Sequence, residues 1–175
     1  MDNPKFSIVI PIYNAENTIA RTMETLKNVD FDDYEVLLIN DGSTDHSIEI
    51  AQRFLQDSRF MLVSQKNQGL SAARNTGLKY VDGEYVYFFD SDDQIAPNLI
   101  ETALAVFNKS SIDLVSFESE LVSCQKDPLP LFKLTNIDVI EKKSNYEHGK
   151  FFITNRELGI VKVIDDNYLK NTIYI

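Results

Sequence analysis

Four short apolar runs, each closed by a polar turn and followed by helical spacing, restrict this chain to very few folds. They are Phe6-Ser7-Ile8-Val9-Ile10-Pro11-Ile12, Tyr34-Glu35-Val36-Leu37-Leu38-Ile39-Asn40, Phe60-Met61-Leu62-Val63 and Tyr85-Val86-Tyr87-Phe88-Phe89. Their length and their β-branched and aromatic content suit buried strands. Between them, Ile19, Met23 and Leu26, then Ile48, Ala51 and Leu55, recur at helical spacing. A helix over 71–80 carries Arg74 and Asn75 and is interrupted by Gly77, and Pro97 suits the first turn of another, with Leu99, Ala103 and Phe107 on one face. Asn14 is placed to cap the first helix, and Ser43 or Thr44 the second. A last strand is expected over 112–117. The alternation implies an α/β fold: a mostly parallel central sheet flanked by helices on both faces. Past Ser119 the pattern loosens, with an extended loop at Asp127-Pro128-Leu129-Pro130 and a short helix over 167–170.

In open sheets of this kind ligands bind at the carboxyl ends of the strands, so the polar exit turns share one rim. The turn after the fourth strand is the most demanding. Asp90-Ser91-Asp92-Asp93 places three carboxylates within four residues at the end of an aromatic run. Carboxylates this close need a cation, a protonated member or open solvent. Mg²⁺ and Mn²⁺ take oxygen ligands and are often held by one or two carboxylates plus substrate phosphates. A solvated acidic turn leading into the next helix explains the cluster equally well when it is taken alone. The other candidates are individually weaker. Asp41 can accept a hydrogen bond from a base or ribose, or merely close an Asp-Gly turn. Tyr13 offers a flat face for a base, or is an ordinary rim tyrosine. Arg74 can meet a phosphate or base carbonyl, or form a surface salt bridge.

Composition removes several classes. A net charge of −10 argues against nucleic-acid binding, which needs a basic stripe. Cys124 is the only cysteine, so no internal disulfide is expected and a reducing compartment is. His46 and His148 have no metal-ligand spacing with each other or with Cys124, and Ser43, Ser71 and Ser91 have no histidine partner nearby in sequence. No G-x-G-x-x-G follows the first strand. No run reaches the roughly 20 apolar residues of a membrane span, and no signal peptide precedes the first strand, so a cytoplasmic chain is expected.

The order of the turns is more specific than any one of them. Val9-Ile10-Pro11-Ile12-Tyr13-Asn14, Ile39-Asn40-Asp41-Gly42-Ser43-Thr44-Asp45, Asn67-Gln68-Gly69-Leu70-Ser71-Ala72-Ala73-Arg74-Asn75-Thr76-Gly77 and Phe89-Asp90-Ser91-Asp92-Asp93 together resemble the family 2 glycosyltransferases. The resemblance runs roughly over 5–117. It implies a GT-A (Rossmann-like) fold, a nucleotide-sugar donor, and inversion at the anomeric carbon. It makes 1–118 the donor-binding α/β region and 119–175 a partial acceptor-side region of the same structural domain.

By that resemblance Pro11 and Tyr13 flank the base, most often uracil, and Asp41 hydrogen-bonds it. Asn67 and Arg74 close the pocket, with Asn14 and Ser91 also on the nucleotide; Asp90 lies near the ribose. Asp92 coordinates Mn²⁺ or Mg²⁺ as the second acid of an Asp-X-Asp motif. The family's catalytic base follows later in the chain. Here the acidic pair is Asp165-Asp166, weakly placed for that role, and the segment after it resembles the one that precedes the base. The expected reaction is transfer from a UDP-sugar to a glycan or lipid-linked acceptor in surface polysaccharide or glycoprotein glycan assembly. It would take place in the cytoplasm, with peripheral contact at the inner membrane face. The rival reading is a non-catalytic nucleotide-sugar binding or scaffold module that lacks the base.

Overall fold

A computed structural model describes residues 4–109, 114–116 and 159–162. The loop and short helix expected past Ser119, together with Cys124, His148, Asp165 and Asp166, lie outside the described residues. The first strand, β1 (Phe6–Ile12), is buried along its whole length. It leads through α1 (Ile19–Lys27) to β2 (Tyr34–Asp41), α2 (Ser47–Gln52), β3 (Phe60–Gln65), α3 (Leu70–Gly77), β4 (Tyr85–Phe88) and α4 (Leu99–Phe107). Two short strands complete the described residues, β5 (Leu114–Ser116) and β6 (Gly159–Lys162).

The sheet order is β3-β2-β1-β4-β6-β5. Strands β1 to β4 are mutually parallel, as the alternation requires, while β6 runs antiparallel between β4 and β5. Of the strand expected over 112–117, the described residues Leu114–Ser116 form β5, which pairs with β6 and not with β4. The inserted β6 went unforeseen, although Gly159-Ile160-Val161-Lys162 begins a β-branched run.

Alternating side chains divide the core in two. Phe6, Ile8, Ile10 and Ile12 face the layer of α1, α2 and α4, where Ile19, Met23, Leu26, Ala51, Leu99 and Ala103 meet them. Val9, Leu37, Ile39, Val86 and Phe88 face the other way, against Ala73 of α3 and Leu78. Each large aliphatic side chain buried in this way contributes about 1.5–3 kcal/mol. Neither of the two expected caps is made. Asn14 stands in the left-handed region, φ 49°, and its Oδ1 accepts from the Thr44 N–H at 2.8 Å rather than from α1. Ser43 and Thr44 are correspondingly engaged with the β1 exit, and α2 starts later, at Ser47, whose N–H donates to Asp45. Pro97 lies before α4, which begins at Leu99, and its carbonyl accepts from the Asp30 N–H.

Gly77 ends α3 rather than interrupting it, and its role is steric. A Cβ there would stand 2.4 Å from Val9 Cγ1 and 3.3 Å from Ile39 Cγ1, so α3 rests directly on β1 and β2. Val9 and Ile39 are fully buried and cannot yield. Gly77→Ala is therefore expected to destabilise. Overpacking costs about 1–3 kcal/mol, and the helix-propensity gain of at most about 1 kcal/mol at a helix end does not offset it. Urea melts of the two proteins measure the difference.

Candidate functional site

The chain moves outward from β1 to β2 and β3, then returns to the other side of β1 for β4. This reversal is the switch point at which open α/β sheets bind ligands. Pairing of β1 with β4 ends at Val9↔Phe88, extended by one bond from the Phe89 N–H to the Val9 carbonyl. Pro11, two residues on, faces the same side as Val9 and has no N–H to offer. The strands part there, and a cavity of about 620 Å³ opens between their ends.

Pro11, Tyr13, Asn14, Asp41, Asn67, Asp90, Ser91 and Asp92 all line it. Eight of the nine residues that the sequence proposes for the nucleotide and metal are thus brought into one cleft. Arg74, the ninth, stands behind the wall. Its guanidinium is buried against the Phe88 ring and donates to Asp90 Oδ1 at 2.7 Å. Tyr13, 54% exposed, and Leu70, 48% exposed, are large apolar side chains left open to solvent at the cleft.

Asp41 is nearly buried, and its carboxylate organises the loop after β3. Oδ1 accepts from Gln65 Nε2 at 2.7 Å and from the Gln68 N–H at 2.9 Å, and Oδ2 accepts from the Gly69 N–H at 2.8 Å. A carboxylate has about four acceptor positions, so one remains on Oδ2. Gly42 follows with φ 75°, and a Cβ on it would come within 2.8 Å of the Asn67 backbone N. The Asp41-Gly42 turn and the Asn67–Gly69 loop therefore lock together, which brings Asn67 to the cleft.

The acidic turn has one cation for three carboxylates. Arg74 pairs with Asp90, whereas Asp92 is exposed. Partial burial, with the charges of Asp90 and Asp92 beside it, raises the Asp93 carboxyl to about 6, and Arg74 only partly opposes the rise. Tyr87, buried beneath the turn, is shifted up by burial and by Asp93 and Asp90. Among the described residues no group of three or more His, Cys, Asp or Glu side chains is arranged to enclose a metal. A single open carboxylate on a charge-rich turn fits instead a Mg²⁺ or Mn²⁺ that keeps waters and takes phosphate oxygens. Two buried side-chain atoms have no partner among the described residues, Gln65 Oε1 and Arg74 Nε. They belong to the very side chains that hold Asp41 and Asp90.

Several contributors were not read from the sequence. Asn17, Thr18, Gly69 and Ala73 also line the cleft, and Gln65 and Gln68 position Asp41. Position in the β1 exit loop and at the start of α3 was the available signal for the first four. Gln65 carried none, because its partner lies 24 residues away.

The family model for Glycosyl transferase family 2 matches residues 7–166. The glycosyltransferase GlyA of Streptococcus pneumoniae is 42% identical over 99 residues, 56% of this chain and 14% of GlyA. GgaB of Bacillus subtilis, a minor teichoic acid biosynthesis protein, is 35% identical over 120 residues, 65% of this chain and 13% of GgaB. Among solved structures, S. aureus TarS 1-349 in complex with UDP-GlcNAc superimposes with a TM-score of 0.65 at 30% identity, over 74% of this chain and 38% of TarS. The chain spans less than half the length of the curated relatives it matches. No helix among the described residues is long and apolar enough to cross a membrane. Matched over residues 7–166 and built on this parallel sheet with its acidic rim, the chain belongs to glycosyl transferase family 2 and has the GT-A fold.

Proposed function

We propose that this chain is the donor-binding part of an inverting, metal-dependent glycosyltransferase that uses a UDP-sugar. The observation that carries the reading is the single cleft at the switch point. It joins an open aromatic face, an Asp41-ordered loop and an under-neutralised acidic turn. Its volume of about 620 Å³ suits a nucleotide-sized ligand. TarS, solved with UDP-GlcNAc and 30% identical, supports UDP as the nucleotide.

In this reading the base lies against Tyr13 and Pro11, and the last acceptor position of Asp41 takes its N–H. Asn67 closes that end. Arg74 acts from behind, holding Asp90 toward the ribose, while Ser91 and Asn14 border the nucleotide. Asp92 holds a divalent cation together with the diphosphate. When bound, Mn²⁺ or Mg²⁺ neutralises charge that builds on the departing diphosphate. The chain's own residues do the rest by orienting the donor, so that its anomeric carbon faces the acceptor side with the C1–O bond in line for displacement. An acceptor hydroxyl attacks from the opposite face, a carboxylate takes its proton, and UDP leaves with the bond pair. Asp165 and Asp166, outside the described residues, are the acidic pair the sequence offers for that proton.

GgaB's place in teichoic acid biosynthesis supports a role in cell-surface polymer assembly; the acceptor in this reading is a glycan or lipid-linked saccharide, met at the cytoplasmic face of the membrane. Regions 1–118 and 119–175 then serve donor and acceptor within one structural domain.

Calorimetry with UDP tests the site. Mn²⁺ is expected to strengthen UDP binding to the wild type. Asp92→Ala should abolish that gain, and an undiminished gain would remove Asp92 from the metal site. Asp41→Asn, which can present its amide N–H₂ to a loop donor, should weaken UDP binding with or without Mn²⁺. A hydrogen bond to a charged group contributes about 1.5–3 kcal/mol, or roughly 10-fold or more in affinity. Hydrolysis of UDP-sugars by the chain, screened with Mn²⁺, separates an enzyme from a module that only binds the donor.

A further inference from the structure

Thr22 is a buried hydroxyl, 1% exposed, within the apolar stripe that α1 turns to the sheet. Its Oγ1 reaches the backbone of a segment far along the chain, at 2.9 Å from the Ser91 carbonyl and 2.9 Å from the Asp93 carbonyl. One hydroxyl supplies one proton, so these two carbonyls share a single donor.

The contact is part of a regular series. Thr25 Oγ1, which donates to the Thr22 carbonyl at 2.8 Å, accepts from the Ile95 N–H at 3.4 Å. Beyond the helix, the Asp30 N–H donates to the Pro97 carbonyl at 2.8 Å. The helix and its exit thus fasten the backbone at residues 91, 93, 95 and 97. Asp92 lies between the two carbonyls that Thr22 holds, exposed, on the lining of the cleft.

We propose that Thr22 is a positioning residue for the acidic turn: by holding the Ser91 and Asp93 carbonyls against α1, it sets where the Asp92 carboxylate meets the donor diphosphate and its cation. The inference rests on the reading of Asp92 as the cation ligand. The first turn of the same helix is preceded by Asn17 and Thr18, which line the cleft, so α1 carries both the nucleotide rim and the support for the metal turn. A rigid support matters because an under-neutralised turn pushes its own carboxylates apart, and the backbone beneath must resist.

Thr22→Val removes the donor at nearly constant volume, and Thr22→Ser restores it. Loss of a group that orients a metal ligand typically weakens metal affinity roughly 10–100-fold. With UDP as the calorimetric probe, Thr22→Val is expected to lose roughly tenfold of the Mn²⁺-dependent gain in affinity. Its metal-free UDP affinity should remain at the wild-type value, and Thr22→Ser should keep the gain. A merely structural role would lower both affinities together. Hydrogen exchange supplies a reading independent of ligand: the Asp93 and Ile95 amides should exchange faster in Thr22→Val, with α3 amides unchanged. A full Mn²⁺ gain in Thr22→Val, or unaltered exchange at Asp93 and Ile95, overturns the proposal. If the wild type itself shows no Mn²⁺ gain, the assignment of Asp92 is what fails, and the exchange measurement alone then decides whether Thr22 holds the turn.

Discussion

The site exists because β1 and β4 stop pairing at one point. Up to Val9 the two strands are parallel neighbours, and their hydrogen bonds hold the centre of the sheet. Pro11 has no N–H to donate on the β4 side, so the ladder is not continued past Val9 there, while pairing with β2 runs on to Ile12. From there β4 turns into its carboxylates and β1 into Tyr13 and Asn14, and the crevice between them is the cleft. A residue that would ordinarily argue against a central strand is here the reason the strand ends in a binding site.

Having opened the rim, the fold must hold three polar loops in register, and it does so with hydrogen bonds rather than apolar contact. Asp41 gathers the loop after β3, Asn14 reaches the β2 exit through Thr44, and Arg74 braces Asp90 from the opposite face of the sheet. Asp41 and Arg74 are buried polar groups whose removal would strand their partners, at about 1–3 kcal/mol, whereas the Asn14 bond is exposed. Arg74 can hold only one of three carboxylates. Partial burial, with the charges of Asp90 and Asp92 beside it, raises the Asp93 carboxyl to about 6. A divalent cation at this turn, as in the proposed function, would supply the charge that Arg74 alone does not.

What the sequence made legible follows from the range of the forces involved. Continuous apolar runs in β1, β2 and β4 and helical spacing at Ile19, Met23 and Leu26 are local, and they appear in the structure as buried strands and a helix. The residues of the cleft were also legible, because motif order encodes which strand ends carry them. The caps were misread for the opposite reason. Asn14, Ser43 and Thr44 are ordinary capping residues by type, but their partners lie 29 to 31 residues away on a neighbouring loop. Thr22 carried no local signal, because nothing within a helical turn points to a carbonyl 69 residues on. The β6 strand was missed because a short β-branched run does not announce that it will enter a parallel sheet antiparallel.

These long-range bonds also explain why α1 matters beyond packing. A helix beside a sheet needs only apolar side chains to stay in place, and Ile19, Met23 and Leu26 provide them. A buried threonine, Thr22, and a half-buried one, Thr25, have a desolvation cost in such a helix, and they are kept only if their hydroxyls find partners. Those partners are not in the sheet but on the acidic segment that crosses the end of β4. The apolar face therefore fixes the helix on the sheet, and the hydroxyls transfer that fixed position to the turn bearing Asp92. The precision of an exposed carboxylate is in this way drawn from the most buried layer of the fold.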